Sequence, residues 1–283
     1  MSLYYKPNRK PDWNYGGPNW KLSRSKIDLF LECARCFYID NKLGVARPPG
    51  FPFTLNSAVD KLLKKEFDIH RAKKTAHPLM KQYKIDAVPF SHPQMEDWRD
   101  SLRHGVSILH KPTNLFVRGG VDDVWVKPSG ELIVVDYKAT SKDGEVSLDA
   151  LWQDGYKRQM EVYQWLFRQN GFKVDDLGYF VYANGKTDRV AFDGKLEFDV
   201  SVIPYTGSDK WVEKTLGDIK KCLVSDILPK ESTDCDYCSY RQSAGVAIEI
   251  VFEKNSSEAK SAERDIPKTK KVKPDDHQES TLF

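Results

Sequence analysis

Residues 115–138 read LFVRGGVDDVWVKPSGELIVVDYK, and this stretch determines the fold class. Apolar and polar residues alternate through residues 115–126 in the manner of β-strands, and Pro128-Ser129-Gly130 is typical of a turn. Residues 131–138 are almost continuously apolar, which predicts a buried central strand. The stretch therefore predicts a hairpin whose second strand lies within a sheet.

This hairpin carries a candidate catalytic site. Asp122 lies on its first strand, directly after a Gly-Gly pair that lets another group approach closely. Asp136 and Lys138 are two residues apart on the next strand, so their side chains share a face. The hairpin would bring Asp122 beside Asp136, where a hard divalent cation relieves the repulsion between carboxylates, and Lys138 would act on a water. A D-x-K motif alone also fits ordinary charges at a strand end, but the strand context favours the site.

The flanking sequence predicts a mixed α/β domain built around one central sheet. Ser25 is a good N-cap for a first helix that closes at Leu43-Gly44, and further helices are predicted near residues 56–67, 94–103, 151–170 and 211–224. Residues 179–182 and 196–203 are strand-like. We expect a polar lead-in over residues 1–20, the α/β domain over 21–245, and a mostly disordered tail over 246–283, in which residues 246–252 resemble a last strand.

Composition limits the function classes. The 283 residues carry a net charge of only +3, so any nucleic-acid binding must come from a local groove. The sequence holds no apolar run of about 18 residues and begins with a polar stretch, which predicts a cytoplasmic protein without a membrane span.

The predicted long helix adds candidate DNA-binding residues. Gln159 and Tyr163 are four residues apart and so share one helix face, where they offer hydrogen-bonding groups and an aromatic ring. In isolation this spacing is more typical of a partly exposed helix face. Basic residues that flank the site are as easily solvated surface charges as phosphate contacts; they are Lys142, Lys157 and Arg158, together with Arg24 and Lys26 on the first helix.

Taken in order, these motifs resemble the PD-(D/E)XK nuclease superfamily, in particular its RecB-like branch, over about residues 22–245. The resemblance rests on Gly119-Gly120-Val121-Asp122, Val135-Asp136-Tyr137-Lys138, the Q-x3-Y motif of residues 159–163, and a first helix that reaches a cysteine at residue 33. It implies a restriction-endonuclease-like fold and hydrolysis of DNA phosphodiesters with Mg²⁺ or Mn²⁺. It further implies that Asp122, Asp136 and the backbone carbonyl of Tyr137 bind the metal, that Lys138 acts on the attacking water, and that Gln159 and Tyr163 position DNA.

One position departs from that branch. Its second helix usually carries a histidine that binds the metal, and in this chain Asp60 takes that place. Because a carboxylate suits a hard cation, we expect Asp60 to be a further ligand. The competing interpretation is a solvated helix charge.

Two C-x2-C pairs supply four cysteines, the number that an all-cysteine zinc site or an iron–sulfur cluster needs. They are Cys33 with Cys36 and Cys235 with Cys238. The segment Cys235-Asp236-Tyr237-Cys238-Ser239-Tyr240-Arg241 is similar to the tail of iron–sulfur nucleases of the AddB type and of CRISPR adaptation, although their last cysteine is replaced here by Ala244. The resemblance implies a [4Fe-4S] cluster, with Zn²⁺ as the alternative and unliganded buried thiols as the competing interpretation.

The sequence also suggests partners. We expect DNA ends or single strands, in repair or recombination. The final residues Gln278, Leu282 and Phe283 resemble a sliding-clamp-binding peptide, for which a frayed terminus is the alternative. Two other functions remain open: a non-catalytic DNA-binding module, and a hydrolase that acts on RNA or nucleotides.

Overall fold

The computed structural model describes residues 11–50 and 54–264. Strands in these residues form two sheets, one with the order β1-β4-β3 and a larger one with the order β2-β5-β6-β7-β8. The strands are β1 (Leu22–Ser23), β2 (Val88–Pro89), β3 (Val106–His110), β4 (Leu115–Gly119), β5 (Asp123–Val126), β6 (Leu132–Thr140), β7 (Leu177–Gly185) and β8 (Phe198–Thr206).

Helices flank these sheets. They are α1 (Arg24–Glu32), α2 (Ala34–Asn41), α3 (Thr54–Lys73), α4 (Pro78–Gln82), α5 (Met95–Arg99), α6 (Asp154–Gln169), α7 (Val212–Val224) and α8 (Asp236–Arg264), with 3-10 turns at Pro11–Trp13 and Leu151–Gln153. The boundary between two compact units falls between Asp234 and Cys235. None of the helices in the described ranges is long and apolar enough to cross a bilayer.

The larger sheet is mixed, which confirms the predicted fold class. Strand β6 pairs antiparallel with β5 and parallel with β7, and α6 lies in the connection between the parallel strands. Successive side chains of β6 enter different cores, because Val134 packs in one hydrophobic cluster and Ile133 and Val135 in the other. This alternation separates the environments of Asp136 and Tyr137 further along the strand.

The prediction of a single sheet was wrong, because the chain changes sheets after Gly119. A Cβ at Gly119 would lie 2.5 Å from Cε1 of Tyr163, and one at Gly120 would lie 2.5 Å from Cβ of Ser101. The two glycines therefore let the chain pass close to α6 and to Ser101, which follows α5, on its way into β5. Asp122 consequently precedes β5 rather than lying within a strand.

The first helix and the C-terminal segment also differ from prediction. Ser23, not Ser25, is the N-cap and accepts a hydrogen bond from the Lys26 amide, and the helix is interrupted at Cys33, whose backbone is extended. Residues 246–252 belong to helix α8, and so do residues 253–264 of the segment predicted to be disordered. A β-branched run forms a strand only where a partner strand satisfies its backbone, whereas a helix satisfies its own.

Candidate active site

The pairing of β5 with β6 places Asp122 beside Asp136. Asp123 is opposite Val135 in the register, and Oδ2 of Asp122 accepts a hydrogen bond of 2.9 Å from the Tyr137 amide. On the other side, Nε of Arg99 donates to the carbonyl oxygen of Asp122 at 3.0 Å. Asp122 is thus held in position through both its side chain and its backbone.

Asp136 is a fully buried carboxylate with few polar partners among the described residues. Its exposed fraction is 0%, its Oδ2 forms an ion pair with Lys138, and its Oδ1 accepts no hydrogen bond from the described residues. Burial raises the pKa of Asp136 to about 6, Lys138 opposes this effect, and the Asp122 carboxylate adds to it. A buried anion with an unsatisfied oxygen is costly, which is typical of groups kept for function.

Lys138 is held by three neighbours. Besides its ion pair with Asp136, its Nζ donates to Oε1 of Gln159 at 3.2 Å and lies 4.1 Å from the centre of the Tyr156 ring. Gln159 in turn donates to the Tyr163 hydroxyl at 3.1 Å. The long helix α6 therefore orients the ammonium group of Lys138.

Asp60 is joined to Asp122 by a lysine that the sequence analysis did not identify. Nζ of Lys64 lies 2.8 Å from Oδ2 of Asp60 and 3.1 Å from Oδ1 of Asp122. Burial and the Asp122 charge raise the pKa of Asp60. The i, i+4 spacing of Asp60 and Lys64 on α3 is the sequence signal that points to this lysine.

These groups surround a cavity of about 400 Å³. It is lined by Asn56, Ser57, Val59, Asp60, Leu63, Asp122, Tyr137, Lys138, Ala139 and Tyr156. Three carboxylates, those of Asp60, Asp122 and Asp136, thus lie at or directly behind one cavity. Carboxylate oxygens are the ligands that Mg²⁺ and Mn²⁺ prefer, and the unsatisfied oxygen of Asp136 fits such a cation.

A second buried carboxylate, Asp123, lies next to Asp122 and has many partners. It accepts from the Tyr137 hydroxyl at 2.6 Å, from the Val124 amide at 2.8 Å and from Arg99 at 3.3 Å, and it also forms an ion pair with Arg71. Arg99 also contacts both carboxylate oxygens of Asp68. The side chain of Tyr137 therefore belongs to this network and not to the cavity chemistry.

The basic residues predicted to bind DNA do not line this cavity. Lys142 lines two other cavities, Lys157 pairs with Asp154 at 3.0 Å, and Arg158 pairs with Asp28 at 2.5 Å. Tyr163 is buried, packed beneath Gly119. Gln159 contacts the acidic cavity through the hydrogen bond that it accepts from Lys138.

The four cysteines lie together. Their sulfur atoms are all within 4.8 Å of one another and all four residues are buried, so they can hold a metal. Arg241 donates to the Sγ of Cys238 at 3.1 Å, and a hydrogen bond to Cys36 helps to raise the pKa of Arg47 even though burial opposes it. Positive donors of this kind stabilise thiolates.

Comparison with known proteins identifies a family for this chain. Residues 21–243 match a family model described as the PD-(D/E)XK nuclease superfamily. No curated protein matches the chain. Among solved structures, the one titled "Crystal structure of SSO0001" is 18% identical, covers 40% of this chain and has a TM-score of 0.25. The match spans 44% of that chain, less than half of its length.

Proposed function

This chain belongs to the PD-(D/E)XK nuclease superfamily, and we propose that it is a nuclease of the RecB-like type that hydrolyses DNA phosphodiester bonds with Mg²⁺ or Mn²⁺. The observation that carries the proposal is the buried carboxylate of Asp136, with an unsatisfied oxygen, between Asp122 and Lys138. A role in repair or recombination, on single strands or ends, is part of the proposal.

Each side chain then has a role. Asp60, Asp122, Asp136 and the carbonyl of Tyr137 would hold the divalent cation, which when bound stabilises charge on the phosphate and lowers the pKa of a bound water. Lys138, fixed by Asp136 and Gln159, would hold the attacking water in the cavity and stabilise negative charge as it develops. Asp122 is rigidly held by Tyr137 and Arg99, so its position needs little adjustment on binding.

The test compares the wild-type protein with Lys138→Ala on single-stranded and double-stranded DNA in Mg²⁺ or Mn²⁺. Loss of an acid–base group typically reduces the rate by about 100-fold to 10,000-fold. Lys214→Ala is the matched control, because Lys214 is exposed and pairs only with Asp218 among the described residues. A wild-type protein that binds but never cleaves DNA favours the non-catalytic module, and cleavage of RNA alone favours the RNA-directed hydrolase.

We also propose that the four cysteines hold one metal centre. The resemblance to iron–sulfur nucleases favours a [4Fe-4S] cluster. Zinc, which four cysteine thiolates also bind, is the alternative.

Metal analysis and absorption of protein purified without oxygen distinguish these centres. A brown protein with a broad band in the blue region supports the iron–sulfur assignment, and Cys36→Ser should then lower both the iron content and the thermal stability. A colourless protein with one zinc per chain overturns iron–sulfur in favour of zinc. Protein that contains neither metal contradicts the proposal of a metal centre.

A final part of the proposal concerns the C-terminal residues Gln278, Leu282 and Phe283, which lie outside the described residues. We propose that they bind a sliding clamp, as their resemblance to clamp-binding peptides suggests. Deletion of residues 278–283 should abolish retention of the protein by an immobilised clamp. Equal retention of the full and shortened chains would end this idea.

A further inference from the structure

A second cavity, of about 360 Å³, adjoins the acidic one. It is lined by Arg24, Asp28, Glu32, Trp152, Gly155, Tyr156, Arg158 and Gln159. Two of these residues connect it to the proposed catalytic groups, because Tyr156 lines both cavities and Gln159 accepts a hydrogen bond from Lys138. A polymer that places a phosphate near Lys138 can therefore continue into the second cavity.

The second cavity contains an accessible aromatic surface. Trp152 is 66% exposed, and it meets Tyr156 edge to face, with ring centres 5.5 Å apart and planes at 84°. The ammonium group of Lys138 lies against the Tyr156 ring, so Trp152 is the more accessible of the two. An exposed tryptophan on a short 3-10 turn, Leu151–Gln153, offers a flat aromatic surface on which a base can stack.

The charge of the second cavity suits an anion. Arg158 contacts Asp28 at 2.5 Å and Arg24 contacts it at 3.8 Å, so two guanidinium groups share one carboxylate. The other acidic residue of the lining, Glu32, is paired with Arg47 at 2.8 Å. One positive charge therefore remains without a matching carboxylate in this lining. Both arginine side chains are partly exposed, at 23% for Arg24 and 30% for Arg158.

We propose that this second cavity binds one nucleotide of a single DNA strand next to the bond that is cleaved, with its base stacked on Trp152 and its phosphate held by Arg24 and Arg158. The inference rests on the proposed nuclease function and specifies its substrate. A base can stack on a side chain only when a face is free, and in a duplex the neighbouring base pairs cover both faces. The site therefore selects single-stranded DNA over intact duplex.

The test measures DNA binding without added divalent cation, so that cleavage does not interfere. Fluorescence anisotropy with a labelled single strand and with its blunt duplex gives both affinities for each variant. Stacking on one aromatic residue is worth enough for Trp152→Ala to weaken single-strand binding about 10-fold, whereas duplex binding should change less than 2-fold. Trp152→Phe keeps an aromatic face and should recover most of the affinity.

Trp13→Ala is the matched control, because Trp13 is 54% exposed and lines neither cavity. Unchanged single-strand binding by Trp152→Ala overturns the inference, and so does an equal loss for both DNA forms. Cleavage by the same wild-type preparation in Mg²⁺ or Mn²⁺ separates the two proposals. If the protein binds single strands selectively but does not cleave them, the nuclease proposal is contradicted and the stacking site is retained. If the protein cleaves DNA and Trp152→Ala binds single strands as tightly as the wild type, only the stacking site is contradicted.

Discussion

Asp123 and Asp136 are two carboxylates with the same burial and opposite surroundings. Both are fully buried, and both lie on the paired strands β5 and β6. Asp123 receives hydrogen bonds from two arginines, a tyrosine hydroxyl and a backbone amide. Asp136 has only the ammonium group of Lys138 as a charged partner in the described structure, and its Oδ1 receives nothing.

The difference separates a structural carboxylate from a candidate functional one. A fully partnered buried anion holds its neighbours in place, and Asp123 fixes Tyr137 and Arg99, both of which in turn hold Asp122. A buried carboxylate with few partners lowers the stability of the fold, and such a residue is typical of a site where a ligand or a reaction uses its charge. The network around Asp123 is thus the rigid support for the site that contains Asp136.

Exchange of Asp136 for asparagine tests this contrast most strongly. Asp136→Asn keeps the side-chain shape and removes a proposed metal ligand, so we expect DNA cleavage to fall at least about 1,000-fold. The free energy of unfolding at neutral pH should stay equal or rise, because burial disfavours the charged form of Asp136 more than Lys138 favours it, and asparagine carries no charge. Cleavage rates and urea denaturation of the same preparation measure both effects. A variant that keeps wild-type cleavage would remove Asp136 from the site.

Truncation of Asp123, in contrast, should lower the free energy of unfolding. Asp123→Ala leaves Arg71 and Arg99 without their shared buried partner, and breaking a buried ion pair costs about 3–5 kcal/mol. Urea denaturation at neutral pH measures the loss, with Asp136→Ala as the matched buried carboxylate. If Asp136→Ala is the more destabilising of the two, then Asp136 and not Asp123 is the structural carboxylate.

The sequence was sufficient to predict that Asp136 lies next to Asp122, but not the network of partners around Asp123. The apolar run of β6 and the turn at Pro128-Ser129-Gly130 were sufficient to predict the strand pairing that places Asp122 next to Asp136. Asp123, one residue along the same segment, gave no sequence signal, because its partners Arg71 and Arg99 come from α3 and α5. Ion pairs between distant segments depend on tertiary packing, which local patterns do not encode.

The remaining differences have similar causes. The Gly-Gly pair predicts a place of close approach, but spacing in the sequence does not reveal which groups approach it, namely Tyr163 and Ser101. No local sequence pattern points to Trp152, because its proposed role depends on a cavity that α1 and α6 form together.

The pH dependence of stability offers a third test of the same carboxylate. Burial raises the pKa of Asp136 from 3.8 to about 6, so the folded protein without divalent cation retains a proton that the unfolded chain has lost. The stability contribution is therefore present below about pH 4 and is lost as the pH rises through about 6. At about 1.4 kcal/mol per pKa unit, the loss is about 3 kcal/mol.

Urea denaturation from pH 4 to pH 7 measures this trend as the difference between the wild-type protein and Asp136→Asn, which cannot titrate at this position. The wild-type protein should lose stability relative to the variant across the interval. Parallel curves for the two proteins would show that the buried carboxylate does not hold its proton.

Lys64 provides the smallest and most specific test of the acidic cavity. Its ammonium group lies between Asp60 and Asp122, where it supplies the positive charge that a divalent cation would otherwise supply. In Lys64→Met the two carboxylates repel each other without that charge, so a divalent cation relieves more repulsion than in the wild-type protein. We expect the Mn²⁺ concentration that gives half of the maximal thermal stabilisation to fall about 5-fold, which corresponds to about 1 kcal/mol.

Lys61→Met is the control, because Lys61 is an exposed lysine on the same helix. This variant also loses one surface charge and should leave that concentration unchanged. If Mn²⁺ stabilises Lys64→Met no better than it stabilises Lys61→Met, then Asp60 and Asp122 do not bind one cation together, and the proposed ligand set loses its member from α3.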